Sequence, residues 1–333
     1  MNGVGDALLT VDALSVAFAD EAGRTTVLDD FSYRLEAGEI LAIVGESGSG
    51  KSVGALAVMG LIGRPGRVTG GSVRLGGREL LTLSEREMQQ VRGGRIGMIF
   101  QEPMTSLNPV LTVAEQIGEA VRLHTGADKR AARRRALEML KLVQIPEPGQ
   151  RLDQYPHELS GGMSQRVMIA MAMSCAPSVL IADEPTTALD VTVQAQILEL
   201  MRDIRRRTGT AIVLITHDLG VVAELADRVL VVYAGRKVEE GPVRAVLRAP
   251  RHPYTEGLLR AMPHLGGTGD GGRLAEIPGQ VPSPAALPPG CAFAPRCPLA
   301  VARCRRELPP LEPVDGSGHE SACWRSDDMA NKR

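Results

Sequence analysis

A lysine and a serine at the end of a glycine-rich segment have the types and spacing expected for phosphate chemistry. The segment, GESGSGKS, covers residues 45–52, with an apolar, strand-like run before it and a helix-like run after it. Such a turn surrounds phosphate oxygens with backbone N–H groups at a helix N-terminus. We expect Lys51 to contact the β- and γ-phosphates of a nucleotide and the Ser52 hydroxyl to bind magnesium. An ordinary turn with a surface lysine is the alternative, but the flanking strand and helix favour a phosphate site. The predicted nucleotide contacts are Gly45, Glu46, Ser47, Gly48, Ser49, Gly50, Lys51 and Ser52.

Two carboxylates follow a second strand-like run. Residues 179–182, VLIA, are fully apolar, which is typical of a parallel strand buried on both faces. Asp183 and Glu184 come next, at the strand end where open α/β sheets bind ligands. We expect Asp183 to hold magnesium through water and Glu184 to be the general base toward an attacking water. A solvated turn before Pro185 is the alternative, but together with the glycine-rich segment the pair predicts nucleotide hydrolysis.

The segment LSGGMSQR at residues 159–166 resembles the signature of ATP-binding-cassette (ABC) ATPases, whose usual form is LSGGQ. Other segments resemble further motifs of that family, in the family's order. Gln101 in IFQEP resembles the Q-loop, residues 188–190 resemble the D-loop, and His217 resembles the switch histidine. The resemblance covers residues 8–250, and it predicts that the nucleotide is ATP.

The resemblance also implies roles in the reaction. Gln101, Glu184 and His217 are expected to be catalytic, with His217 near the γ-phosphate. Gln101 would also be a magnesium ligand, and Asp190 would contact nucleotide. The family places an aromatic ring near the N-terminus against adenine. Phe18 is the candidate for this ring, and a core phenylalanine is the alternative.

Two cassettes of this family close head to tail, so that the ATP on one phosphate loop is covered by the signature of the other. The signature residues expected to contact that ATP are Ser160, Gly161 and Gly162. Because one chain carries only half of each site, the resemblance implies a heterodimer with a paralogous ABC ATPase subunit.

The implied fold is α/β. Residues 1–250 would form a P-loop NTPase cassette with a RecA-like core, an N-terminal antiparallel β subdomain and a helical signature subdomain at about 102–165. Residues 111–124 and 129–143 carry apolar positions at helical spacing, as that subdomain requires. Residues 251–333 would form a C-terminal extension rich in proline and cysteine.

The extension resembles that of oligopeptide and dipeptide importer ATPases. Thirteen of the chain's 22 prolines lie from residue 250 onward, and HPYTEGLLRAMP opens the region at 252–263. The resemblance implies a bacterial peptide importer with two transmembrane permease subunits and an extracytoplasmic solute-binding protein. Import of nickel or another small solute is one alternative. A soluble ABC ATPase acting on nucleic acid or the ribosome is another, and a different P-loop class, such as a kinase, is a third.

The charge and the apolar segments of the chain indicate where the protein is located in the cell. Its formal net charge is −1, which gives no basic field for nucleic acid. The N-terminus, MNGVGD, has no secretory pattern, and the longest apolar run, at 167–182, is too short to span a bilayer. With the family resemblance, this predicts a peripheral protein at the cytoplasmic face of the inner membrane.

Four of the five cysteines fall in the last part of the chain, with the spacing C-x5-C-x6-C-x18-C; the fifth, Cys175, fits a small core residue. Thiolates in a proline-rich segment suggest a metal that replaces a missing core, and importer ATPases with this pattern imply a [4Fe–4S] cluster. Zinc or no metal are the alternatives. The predicted cluster ligands are Cys291, Cys297, Cys304 and Cys323.

Overall fold

The computed structural model describes residues 7–20, 23–102, 106–187, 189–262 and 276–330. The chain forms two compact units, each assembled from separate stretches of sequence. The first unit comprises Met1–Leu9, Leu35–Glu39 and Thr82–Ile215, and the second comprises Thr10–Arg34, Ile40–Leu81 and Thr216–Arg333. The boundaries predicted at about 102–165 and at residue 250 stay predictions.

Strands and helices alternate along most of the described chain. The strands are β1 (Leu9–Asp20), β2 (Gly23–Leu35), β3 (Ile40–Val44), β4 (Gly66–Leu75), β5 (Arg78–Glu79), β6 (Ile96–Ile99), β7 (Val179–Asp183), β8 (Ala211–Thr216), β9 (Arg228–Tyr233), β10 (Arg236–Pro242), β11 (Glu312–Pro313) and β12 (Glu320–Ser321). The helices are α1 (Lys51–Val58), α2 (Glu85–Val91), α3 (Val113–Thr125), α4 (Lys129–Leu142), α5 (Pro148–Arg151), α6 (Gly161–Met173), α7 (Val191–Thr208), α8 (Leu219–Leu225), α9 (Val243–Arg248), α10 (Pro253–Arg260), α11 (Ala302–Arg306) and α12 (Ser326–Ala330).

The first unit contains three parallel strands in the order β8-β7-β6. Every residue of β7 and β8 is buried, which explains why both sequences are continuous apolar runs rather than alternating ones. Asp183, the last residue of β7, is opposite Ile215 of β8. The α/β class predicted from the sequence is therefore confirmed.

Helices α3 and α4 of the first unit begin and end at residues that satisfy their terminal backbone groups. Thr112 and Glu115 form a capping box at the start of α3, and Gly126 ends that helix in the left-handed conformation. The carboxylate of Asp128 then accepts from the N–H of Ala131 and starts α4. These caps fix two successive amphipathic helices, as the apolar spacing predicted.

The second unit contains a four-stranded sheet in the order β2-β1-β4-β5, in which β4 and β5 are antiparallel. A further group has the order β11-β12-β10-β9-β3. Strands β3 and β9 are parallel, whereas β9, β10, β12 and β11 pair antiparallel in turn. The phosphate segment starts directly after β3, at the carboxyl end of a buried parallel strand.

A buried carboxylate ties the C-terminal part of the second unit to β10. Glu239 is fully buried and accepts the backbone N–H groups of Arg251 and His252 at 2.6 and 3.1 Å. Its Oε1 is also 2.7 Å from Nε2 of His319, which is fully buried too. Because a buried carboxylate needs such partners, Glu239 fixes two separate stretches of the chain at once.

The long apolar run at 167–182 is divided between two elements: α6 ends at Met173 and β7 begins at Val179. Among the residues that the structure describes, no helix has the combined length and apolar character that crossing a membrane requires.

Candidate nucleotide-binding site

The glycine-rich segment forms a tight loop between β3 and α1 in the second unit. Gly45 and Gly50 have φ angles of 159° and 98°. A Cβ atom on Gly45 would collide with the backbone carbonyl oxygen of Val232. Glycine is therefore required where the chain leaves β3, because a side chain there would displace the loop.

Lys51, the first residue of α1, lies along this loop rather than in solvent. Its side chain is buried, and Nζ donates to the carbonyl oxygens of Gly45 and Glu46 at 2.7 and 2.9 Å and to Oγ of Ser49 at 3.3 Å. An ammonium group at the start of a helix and inside a loop of backbone groups is a site for a phosphate anion. Ser52, half-buried, follows in the first turn of the helix. These residues fit the phosphates of a nucleotide and a magnesium ion beside them.

Glu46 of the loop is held by two residues for which the motifs gave no role. Its carboxylate forms a bidentate ion pair with Arg296, with Nη1···Oε2 of 2.7 Å and Nη2···Oε1 of 3.0 Å. Its backbone N–H donates to the hydroxyl of Tyr254 at 2.8 Å. Glu46 raises the pKa of Arg296, because it accepts hydrogen bonds from the charged guanidinium. The sequence separations of 250 and 208 residues left no local signal for either contact.

In the first unit, the side chains of Gln101 and Glu184 are in contact. Oε2 of Glu184 accepts a hydrogen bond from Nε2 of Gln101 at 3.3 Å and another from Oγ1 of Thr187 at 2.8 Å. The backbone of Glu184 has a φ of 46°, and its N–H donates to the carbonyl of Ile215. Asp183, directly before it, is 5% exposed. A carboxylate oriented in this way can accept a proton from water.

The predicted signature residues lie at the start of α6, also in the first unit. Ser160 caps the helix, with its Oγ accepting the N–H of Met163 at 3.4 Å, and both Ser160 and Gly161 are exposed. A Cβ atom on Gly162 would meet the side chain of Val193 at 2.9 Å, so glycine allows α6 to approach that residue closely.

Arg166 anchors α6 further along the helix. It donates to the carbonyl of Val143 at 2.6 Å and to Oε1 of Gln196 at 3.0 Å, and burial lowers its pKa. The N–H of Val193 donates to Asp190, which caps α7. Gly162 of the signature and Asp190 of the D-loop therefore both contact Val193. Ala188, the first residue of the predicted D-loop, lies outside the described residues.

Phe18 and His217 belong to the second unit. Phe18 is half-buried in β1, and its ring lies where a Cβ atom on Gly66 would approach it at 2.6 Å. His217 is exposed, directly after β8 and before Asp218, whose carboxylate caps α8. Adenine binding by Phe18 and phosphate contact by His217 stay predictions.

The predicted [4Fe–4S] cluster is wrong. In the described ranges, no three His, Cys, Asp or Glu side chains are placed to bind a metal ion, which removes the zinc alternative as well. Burial raises the pKa of Cys291, and it raises that of Cys323 to about 12. The cavity that the four cysteines line has a volume of about 10 Å³. The residues corrected here are Cys291, Cys297, Cys304 and Cys323.

Known proteins that are similar to this chain are ATP-binding proteins, as the nucleotide site leads one to expect. The model of the ABC transporter family matches residues 28–187, and that of the oligopeptide/dipeptide transporter C-terminal region matches residues 238–304. The chain is 53% identical to the dipeptide transport ATP-binding protein DppD of Escherichia coli, over 95% of this chain and 96% of the relative. It is 52% identical to a probable peptide ABC transporter ATP-binding protein of Sinorhizobium fredii, over 99% of this chain and 98% of that relative.

A solved structure is similar as well. The dimeric, post-hydrolysis ATP-binding cassette MJ0796, bound to ADP and Pi, superposes with a TM-score of 0.64 at 28% identity. The similarity covers 71% of this chain and 99% of that one. The cassette fold predicted from the motifs is therefore confirmed.

Proposed function

Because this chain belongs to the ABC transporter ATPase family, we propose that it is the ATP-hydrolysing subunit of a bacterial importer of dipeptides or oligopeptides. The observation that carries the proposal is its similarity, over nearly the whole length, to ATP-binding proteins of dipeptide and peptide transport. The match of residues 238–304 to the oligopeptide/dipeptide transporter C-terminal region supports the same cargo.

ATP binding is assigned to the loop between β3 and α1. Lys51 would donate to the phosphates from the position that its contacts with Gly45 and Glu46 define. Ser52, Gln101 and Asp183 would hold Mg²⁺, which neutralises charge on the phosphate oxygens when it is bound.

Glu184 is proposed as the general base. Thr187 and Gln101 both donate to the same carboxylate oxygen and orient the group. Glu184 would accept the proton of the attacking water, and His217 would contact the γ-phosphate. Gln101 would act through its contact with Glu184 and with the metal.

A paralogous ABC ATPase is proposed as the partner that completes each site. Ser160 and Gly161 are exposed at the start of α6, where a hydroxyl and backbone N–H groups can meet a phosphate. Val191, next to Asp190, is 83% exposed, so its side chain is accessible to a second cassette. The similar structure of MJ0796 is itself dimeric.

The remaining partners are two permease subunits and an extracytoplasmic solute-binding protein. We place this chain at the cytoplasmic face of the inner membrane, attached through the permeases. ATP would close the pair of cassettes, and hydrolysis would reopen it, which switches the permeases between their two orientations.

Purification of the tagged chain from membranes, with identification of the solute-binding protein that accompanies it, tests the function. The isolated binding protein is then titrated with a panel of dipeptides and oligopeptides and, separately, with nickel chelates. We expect saturable peptide binding and two permeases in the same preparation. A binding protein that binds nickel but no peptide would show that the cargo is nickel and not peptide. Co-purification with nucleic acid instead of permeases would contradict the proposed importer function.

A further inference from the structure

One residue of the phosphate loop connects the C-terminal extension with the phosphate-binding lysine. The carboxylate of Glu46 pairs with Arg296, its N–H donates to the hydroxyl of Tyr254, and its carbonyl oxygen accepts from Nζ of Lys51 at 2.9 Å. All three polar groups of Glu46 are therefore used. Two of them are held by the extension (251–333), and the third holds the lysine.

The side chain of Arg296 is also held by residues other than Glu46. Its side chain is 5% exposed. Nε donates to the carbonyl of Pro278 at 2.9 Å, and Nη2 donates to the carbonyl of Ile277 at 3.2 Å. Nη1 lies 3.3 Å from the hydroxyl of Tyr233. With this many partners, the guanidinium of Arg296 has a fixed position. Its bidentate pair with the Glu46 carboxylate therefore sets the orientation of that carboxylate as well as its distance.

Tyr254 is equally constrained. Its ring packs against Tyr233 with centroids 4.6 Å apart and against Phe293 with centroids 5.4 Å apart. It is fully buried, near the start of α10, where the side chain of His252 accepts its N–H. The hydroxyl that receives the N–H of Glu46 therefore has a fixed position, set by rings from β9 and from the extension.

Charge gives the contact a second consequence. Glu46 places a carboxylate in a loop whose other features attract anions, and a polyphosphate would be repelled by it if it were unpaired. Arg296 neutralises that carboxylate. The pair is mostly enclosed, with Glu46 28% exposed, so solvent screens the interaction only in part.

We propose that Arg296 and Tyr254 are positioning residues for ATP binding, which hold Glu46, and through its carbonyl oxygen Lys51, in the geometry that receives the phosphates, and that Arg296 also neutralises the Glu46 carboxylate, which would otherwise repel them. The extension is thus part of the nucleotide site rather than a separate module. This role depends on ATP binding and not on the transported solute.

Titration of the full-length chain with magnesium AMP-PNP, followed by calorimetry, tests the proposal. Arg296→Gln should raise the Kd about tenfold, the size expected for the loss of one charge-assisted contact. Arg296→Lys should fall between this variant and the native chain, because lysine keeps the charge but not the fork. The double variant Arg296→Gln/Glu46→Gln should return to within about threefold of the native Kd, because no unpaired charge remains.

Tyr254→Phe gives a reading that does not depend on charge. It removes one hydroxyl and keeps the ring packing, and it should raise the Kd about threefold. Tyr33→Phe, at another buried tyrosine of the same unit, and Arg305→Gln, at an exposed arginine of the extension, are the matched controls and should leave the Kd unchanged. Thermal unfolding of every variant separates folding from binding.

Two results would overturn the proposal. One is a native Kd in folded Arg296→Gln and Tyr254→Phe, even if their unfolding temperatures fall. The other is a double variant that binds as weakly as Arg296→Gln alone or more weakly, since the loss would then not come from the uncompensated carboxylate. If Arg296→Gln does not fold, Arg296→Lys and Tyr254→Phe decide the question by the same measurement.

Discussion

The phosphate loop and the Gln101–Glu184 pair differ in how firmly they are held. In the loop, Lys51 is buried and has three fixed acceptors, and Glu46 is held by Arg296 and Tyr254. The amide of Gln101, by contrast, is exposed and lies 3.3 Å from Glu184. Groups that bind a dense negative charge are thus set in place in advance. The exposed amide of Gln101 can instead adjust when substrate arrives.

Glu184→Gln removes the proposed general base and should have the largest effect on ATP hydrolysis. The amide cannot accept the proton of water, so ATP turnover at the site that contains this residue should fall about 10³-fold in the assembled importer. ATP binding should be kept, because the loop is unchanged. Steady-state phosphate release and nucleotide binding are measured together, with Glu199→Gln on the exposed face of α7 as the control. Native turnover in the variant would remove Glu184 from the base role.

Lys51→Ala tests the firmly held side. It removes the buried ammonium and should raise the Kd for magnesium AMP-PNP about a hundredfold, or about 3 kcal/mol. Lys129→Ala, at an exposed lysine of α4, controls for the loss of one positive charge. Unchanged affinity in a folded Lys51→Ala chain would show that the phosphates bind elsewhere.

Gln101→Ala tests the loosely held side. Loss of the long contact with Glu184 should lower kcat about tenfold while the Kd for nucleotide changes little. Gln150→Ala, at an exposed position of α5, is the control. A larger effect on nucleotide affinity than on turnover would mean that Gln101 is a binding residue, and the contrast between the two regions would then disappear.

His252 provides the most gradual test, at the start of the helix that carries Tyr254. Burial lowers its pKa to about 3, whereas histidine in an unfolded chain titrates near 6.5. The unfolded state therefore binds more protons, and stability is lost as the pH falls from 6.5 toward 3. At pH 5 the loss from this residue is about 2 kcal/mol.

Denaturant unfolding of the native chain and of His252→Asn at pH 7 and pH 5 measures this term. Asparagine keeps a helix-capping acceptor but does not titrate. The native chain should lose about 2 kcal/mol more than the variant between the two pH values. An identical pH dependence would mean that His252 is not a neutral, desolvated residue in the folded protein.

The sequence predicted those features that local physics determines. A glycine-rich turn after an apolar run predicts a phosphate loop, because few other residues can adopt the φ angle of Gly50. The continuous apolar run at 179–182 predicted β7, and apolar positions at helical spacing predicted α3 and α4. These properties depend on neighbours within a few residues.

The contacts of Glu46 could not be predicted, because its partners are 208 and 250 residues away. The cysteine prediction failed for a related reason. Spacing along a proline-rich chain gives the number of sulfur atoms but neither their directions nor their solvation. Burial raises the pKa of both Cys291 and Cys323, and no motif reports burial.

The buried carboxylate of Glu239 has a consequence for engineering. It belongs to β10, but its hydrogen-bond partners are residues 251, 252 and 319. Tails exchanged between related proteins must therefore supply replacement donors at both stretches, or the graft leaves a solvent-free anion that costs several kcal/mol. A shortened chain that stops before these donors loses the same stability. The C-terminal segment and β10 must therefore be kept together in any engineered protein.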